Sequence, residues 1–192
     1  MIVTLKCSGF ACLCGLLLSA CATSTPPPGN DWPLACDFTS FESTADKLSH
    51  CAARDANGNL KLRPDLLADI EAGAGVQTIH SDGRWLFALE GKTLVALTYD
   101  NGADYFQEGL ARTVQGGKIG FINPSLELVI PPIWDFAFPF ENGYSVICTG
   151  CRQEPDGEHS SIVGGGWGYI DLRGKVVLEP IYQRDALPAP PE

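Results

Sequence analysis

Positive charge is what this chain has least of. Its 192 residues carry 13 Lys and Arg against 23 Asp and Glu, a formal net charge of −10. Such a surface repels phosphate backbones and anionic headgroups, which excludes nucleic acid as a partner and any purely electrostatic hold on a membrane. Long apolar runs are also scarce: beyond residue 20 no stretch approaches the roughly 20 residues that a bilayer-spanning helix needs. Histidine is sparse, with His50, His80 and His159 on separate segments, and neither G-x-S-x-G nor H-E-x-x-H occurs. Asp55-Ala56-Asn57-Gly58-Asn59 opens like a calcium loop, but Leu60 and Leu66 stand where Gly and Glu are needed, so it reads as a surface turn. Gly164-Gly165-Gly166 lacks the Lys-Ser/Thr that completes a phosphate cradle. Nothing sets a nucleophile beside a base, so the expectation is a non-catalytic protein without a cofactor.

What is there begins at the N-terminus. Lys6 supplies a positive start, residues 7–18 an apolar core, and Ser19 and Ala20 a small-residue step before Cys21. The run is too short to span a bilayer and has the pattern of a secretory signal. The stretch Leu18-Ser19-Ala20-Cys21 resembles the lipobox of bacterial lipoproteins. That resemblance implies cleavage of residues 1–20, lipid on Cys21, and more than one acyl chain, as stable anchoring requires. Ala22, where an Asp would mark retention, implies an outer membrane with the protein facing the periplasm. Residues 21–33, with Pro26-Pro27-Pro28, read as a tether, and residues 187–192, with Pro188, Pro190 and Pro191, as an irregular tail.

Cysteine, in contrast to lysine, is plentiful. Cys7, Cys12 and Cys14 leave with the signal and Cys21 goes to lipid, so Cys36, Cys51, Cys148 and Cys151 remain, an even set in an oxidising compartment. Three pairings exist; nearness along the chain favours Cys36 with Cys51 and Cys148 with Cys151, although spacing alone does not fix connectivity. A bridge from 36 to 51 closes a loop of about 15 residues and contributes on the order of 3 kcal/mol. The competing reading makes Cys148, Cys151 and His159, with Asp156 or Glu158, the ligands of a metal in an envelope hydrolase. The missing fourth Cys or His and the oxidising space favour the disulfide.

The remaining 34–186 carry an internal repeat. Residues 118–133 (KIGFINPSLELVIPPI) lie without gaps on 166–181 (GWGYIDLRGKVVLEPI) at an offset of 48, sharing Gly120/Gly168, Ile122/Ile170, Val129/Val177, Pro132/Pro180 and Ile133/Ile181. A weaker copy lies upstream, where Tyr99-Asp100 and residues 106–111 answer Trp134-Asp135 and residues 140–145, giving a true period near 35 with an insertion at 149–165. Each unit reads as a hairpin: 119–122, a turn at 123–125, then 126–130, with Pro131-Pro132 ending the ladder. In the later copy 167–170 and 176–178 flank a loop closed by Gly174. Gly120 and Gly168, inside strands, mark a bulge or a ring lying on bare backbone. Helix is expected only early, as a turn over 46–51 capped by Ser43 or Thr44 and a segment from Pro64 to about Ile70.

Gly166-Trp167-Gly168-Tyr169-Ile170-Asp171, then Gly174-Lys175-Val176-Val177 and Pro180-Ile181-Tyr182, resembles the WG repeat of bacterial proteins. Two units match, over about 106–148 and 166–182; the earlier has Ile119 in place of the tryptophan and no glycine at Ser125. The resemblance implies a mainly β domain of tandem, stacked hairpins with one or two short N-terminal helices, and no catalytic residue. Trp134, Phe136, Phe138 and Phe140 alternate, which puts four rings on one face of an extended segment, either as core or as a platform for a sugar or peptide. Trp134, Phe136, Phe138 and Trp167 are therefore the candidate binding surface. The functional expectation is a membrane-anchored envelope interaction module with a protein or envelope glycan partner, contacted through loops, among them the glycine-rich loop expected of the 149–165 insertion.

Overall fold

The computed structural model describes residues 31–39, 46–68, 75–99, 101–157 and 159–190. Residues 1–20, expected to be a signal, Cys21 and most of the expected tether lie outside the described residues, as do Ser43, Thr44, Ile70 and the last two positions.

The expectation of a mainly β chain holds, and every strand pairing is antiparallel. The N-terminal sheet has six strands: β1 (Leu34–Thr39), β2 (Asp46–Arg54), β3 (Leu60–Leu62), β4 (Gln77–Ser81), β5 (Arg84–Leu89) and β6 (Lys92–Val95), in the order β3-β2-β1-β4-β5-β6. A short helix, α1 (Pro64–Ala68), opens at the proline as expected. A ribbon of β7 (Thr98–Tyr99) and β8 (Gly102–Ala103) leads to β9 (Ala111–Gln115), β10 (Lys118–Ile122) and β11 (Leu128–Trp134), ordered β11-β10-β9. Then β12 (Phe136–Ala137), β13 (Tyr144–Asp156), β14 (His159–Asp171) and β15 (Val176–Tyr182) lie side by side.

Three local expectations are corrected. Residues 46–51 form the start of β2, not a helical turn, because β2 is paired on both sides, with β1 and with β3; tertiary pairing overrides the weak capping signal. Pro131-Pro132 does not end its ladder: β11 runs on to Trp134, since the prolines sit in a bulge on an edge strand where no N–H is required. The 149–165 insertion is not a loop but the outer half of the β13–β14 hairpin, paired from Tyr144↔Asp171 to Asp156↔His159.

The repeat is exact in register. Ile119↔Trp134, Phe121↔Ile130 and Ile122↔Leu128 become Trp167↔Tyr182, Tyr169↔Leu178 and Ile170↔Val176 when 48 is added to every number. The slip in each ladder throws two extra residues of the outer strand across the glycine. A Cβ on Gly120 would lie 2.6 Å from the Ile130 carbonyl oxygen, and one on Gly168 2.3 Å from that of Leu178. Bulge, not a stacked ring, explains both glycines.

The turns repeat as well. Asn123 Oδ1 accepts the N–H groups of Ser125 and Glu127, and Asp171 Oδ1 those of Arg173 and Lys175, while the fourth residue takes positive φ (Leu126 52°, Gly174 79°). Asp55 makes the same two bonds to Asn57 and Asn59, with Gly58 at 78°, so the false calcium loop is a third copy of this turn. Asp55 and Asp171 are thereby held below the usual carboxylate range: Asp55 chiefly by the Asn59 N–H, Asp171 because its N–H partners at Lys175 and Arg173 outweigh the effect of burial.

Small cores succeed one another along the chain. Cys36, Cys51, Ile79 and Leu86 fill the N-terminal sheet; Phe87, Ala103, Ala111 and Ile122 the next layer; Phe121, Ile130, Trp134, Phe140 and Ile170 the third; Cys148, Cys151 and Trp167 the last. Phe87 packs on Phe106 at 5.4 Å and, 34 residues later, Phe121 on Phe140 at 4.8 Å. Each unit thus completes its core with its neighbour, as stacked repeats do.

A candidate interaction groove

The expected row of four rings breaks at Asp135, which lies in a bend between β11 and β12. Trp134 and Phe140 turn into the third core, Phe136 bridges it to the last, and Phe138 joins Trp167. Trp134 is 7% exposed and Trp167 1%, so neither offers a face to a partner. Phe138, by contrast, lines the groove beside it. Trp167 instead serves as a floor: its Nε1 donates to the Gly164 carbonyl at 3.0 Å, and Phe136 and Phe138 lean on it at 6.1 and 6.3 Å.

The Arg184 guanidinium covers this floor, 5.3 Å from the centres of both Phe138 and Trp167. It belongs to a single 3₁₀ turn, η1 (Arg184–Ala186), from which the C-terminal tail departs. Beside it opens a groove of about 690 Å³ lined by Tyr99, Phe138, Tyr144, Tyr169, Leu187 and Pro190. Gln107, Glu141 and Asn142 supply its polar atoms. Tyr144 and Tyr169 meet edge to face at 6.4 Å, and Tyr105, 57% exposed, stands edge-on to Tyr99 at 6.1 Å. Four of the chain's five tyrosines gather here.

The wall under Tyr99 is built by a buried ion pair. Arg112 donates to Asp104 through Nε at 2.9 Å and Nη2 at 2.6 Å, and the Arg112 backbone N–H bonds the same carboxylate at 2.8 Å. Arg112 Nη1 reaches on to the Ala137 carbonyl at 2.9 Å, tying one repeat to the next, and its guanidinium lies 5.5 Å from the Tyr99 ring. A second link joins neighbouring turns, where the Glu108 carboxylate accepts the Gly143 N–H at 2.9 Å. Each guanidinium nitrogen and both carboxylate oxygens thus have a partner, which is what lets a buried charge pair be tolerated.

The structure brings Cys36 to disulfide distance of Cys51 and Cys148 to disulfide distance of Cys151. The second pair staples a kink within β13, and Gly165 on the facing strand has no room for a side chain: a Cβ there would lie 2.6 Å from Cys148 Sγ. Asp135 pins the same kink by accepting the Gly150 N–H at 2.8 Å and the Lys118 ammonium at 2.5 Å, and these partners, Lys118 first, hold its carboxyl below the ordinary range. His159 is not brought to the cysteines. It pairs with Asp156 at the far end of the hairpin, five residue pairs beyond Cys151↔Gly164, roughly 17 Å at strand rise. Among the described residues no group of three His, Cys, Asp or Glu side chains converges as a metal site.

These features define a protein of tandem antiparallel hairpins with an aromatic groove where consecutive units meet. Residues 89–118, 119–150 and 167–184 match the family model described as WG containing repeat. The first match covers the weak upstream copy, and the second begins at Ile119. No curated protein and no solved structure matches the chain.

Sequence reasoning missed Tyr99, Tyr144, Tyr169 and Arg184. One signal was available: at an offset of 34, Ala103 answers Ala137 and Phe106 answers Phe140, so Phe138 occupies the place of the charged Asp104. A ring where the previous unit keeps a carboxylate marks the spot.

Proposed function

We propose that this protein is a non-catalytic interaction module, anchored by lipid on Cys21 to the envelope and facing the periplasm from the outer membrane, and that the tyrosine groove is its contact surface for a protein or envelope glycan. The observation that carries the reading is the gathering of Tyr99, Phe138, Tyr144 and Tyr169 around one open groove with side-chain amides at its rim. Rings that bury large area at little entropic cost, mixed with amides, are the composition of recognition surfaces. The lipobox-like Leu18-Ser19-Ala20-Cys21 supports the anchor. Two measurements test the two halves. Mass spectrometry of the membrane-extracted chain should find an acylated N-terminal Cys21, and Cys21→Ser should release the protein to the soluble fraction. Crosslinking in intact cells from a photoreactive residue at position 144 should trap a discrete partner or glycan that the same probe at exposed Arg173, away from the groove, does not; identical patterns from both positions overturn the reading.

A further inference from the structure

One wall of the groove is the chain's own tail. Leu187 and Pro190 line it, whereas Pro188 and Ala189 between them do not. Spacing by three is the period of the polyproline II helix, which places residues i and i+3 on one face. The backbone at the tail's first residue agrees, with Leu187 extended at φ −67°, ψ 119°. Pro188 and Pro190 have φ fixed near that of this helix, and the residues preceding prolines are biased to it. Leu187 also packs against the Phe138 and Trp167 cluster, and the Arg184 guanidinium over those rings holds the turn from which the tail starts.

Resting on the groove as a contact surface, we propose that it recognises proline-rich segments in the polyproline II conformation, and that residues 187–190 occupy one end of it as a built-in competitor. Three properties fit this occupant. Aromatic rings stack against the flat faces of prolines, and a proline-rich strand arrives with little conformational entropy left to lose. Such a strand has unpaired backbone carbonyls, for which the Gln107 and Asn142 amides are suitable donors. Leu187 packs beside Phe138 and Trp167, and the open volume that Tyr99, Gln107 and Glu141 also line leaves room for a longer segment.

The test uses the full chain and a synthetic peptide of the tail sequence, acetyl-Ala-Leu-Pro-Ala-Pro-Pro-amide, titrated by tryptophan fluorescence. Leu187→Ser with Pro190→Ser releases the tail. A tethered tail competes at roughly millimolar effective concentration, so the released variant should bind the peptide about tenfold more tightly than the unaltered chain. A peptide with serine in place of every proline, or Tyr144→Ala added to the released variant, should bind at least about fivefold more weakly. Equal binding of the proline and serine peptides, or no gain on release, overturns the proposal. If the released variant does not fold, the unaltered chain answers by amide NMR: excess peptide should move the Leu187 and Ala189 signals toward free-chain positions, and signals that stay put at about 10 mM peptide overturn it. A tetramer of N-acetylglucosamine is titrated in parallel. Saccharide binding that Tyr144→Ala abolishes, with no peptide binding, rejects the proline-rich class and leaves the groove a contact surface; if no peptide binds and the photoreactive probe at 144 traps nothing specific, both readings fall.

Discussion

Two consecutive repeats solve the same position in opposite ways. Between Ala103 and Phe106 the chain buries Asp104, clamped by Arg112; between Ala137 and Phe140 it places Phe138, with Val146 opposite in the position of Arg112. The turns that follow are alike, Glu108-Gly109 and Asn142-Gly143 both in the left-handed conformation, but the Asp104 N–H bonds the Leu97 carbonyl where the Phe138 N–H bonds that of Val146. The ion pair spends its bonds inward and ties repeat to repeat. The apolar pair spends none, and leaves a ring beside open space. A repeat scaffold can therefore be strengthened at one joint and made receptive at the next by exchanging both partners together.

The hardest way to break that comparison is to remove one charge. Asp104→Ala strands the Arg112 guanidinium in the interior and should cost about 3–5 kcal/mol in urea unfolding. Asp104→Phe with Arg112→Val, which copies the next repeat, should cost far less, because no buried charge is left alone; equal losses would show that the two joints are not interchangeable. Next in size, Cys36→Ser with Cys51→Ser opens the 15-residue link of the N-terminal sheet and should lower stability by about 3 kcal/mol, read as a drop in urea midpoint that reducing agent reproduces in the parent. Gly168→Ala drives a methyl into the Leu178 carbonyl and should cost about 1–3 kcal/mol, and Gly120→Ala should match it if the two bulges are equivalent. The smallest effect is acid sensitivity at the Asp135 pin. Its carboxyl titrates lower in the folded chain than in the unfolded one, so its contribution is present above the unfolded value near 3.8 and fades as pH falls through the folded value. The stability gap between the parent and Asp135→Asn should hence shrink from pH 5 toward pH 2.5, and a gap independent of pH would remove Asp135 from the account.

Much of the scaffold was legible because it is local. Asn123 and Asp171 announce their turns, Gly120 and Gly168 their bulges, and the offset of 48 predicts a register that the ladders reproduce pair by pair. Residues 46–51 were misread because a capping signal is a weak local preference, while β2's fate was decided by β1 and β3. The insertion was misread because its glycines, Gly164 and Gly165, suggest a loop; their positive φ instead accommodates the kink stapled by Cys148 and Cys151. The groove was illegible for another reason. Tyr99, Tyr144, Tyr169 and Arg184 come from four separate elements, and only the stacking of one repeat on the next brings them together.

The bulge opposite Gly168 has a consequence for solubility. A row of hairpins ends in a bare margin, and β15 is that margin, with Ile181 74% exposed on it. A straight, greasy border of this kind is a template on which further molecules zip up into fibres. The doubled residues and Pro180 spoil the template, crooking the border and depriving a newcomer of one amide hydrogen. The same irregularity that fits the strand around a glycine thus works against the addition of a further strand at this border.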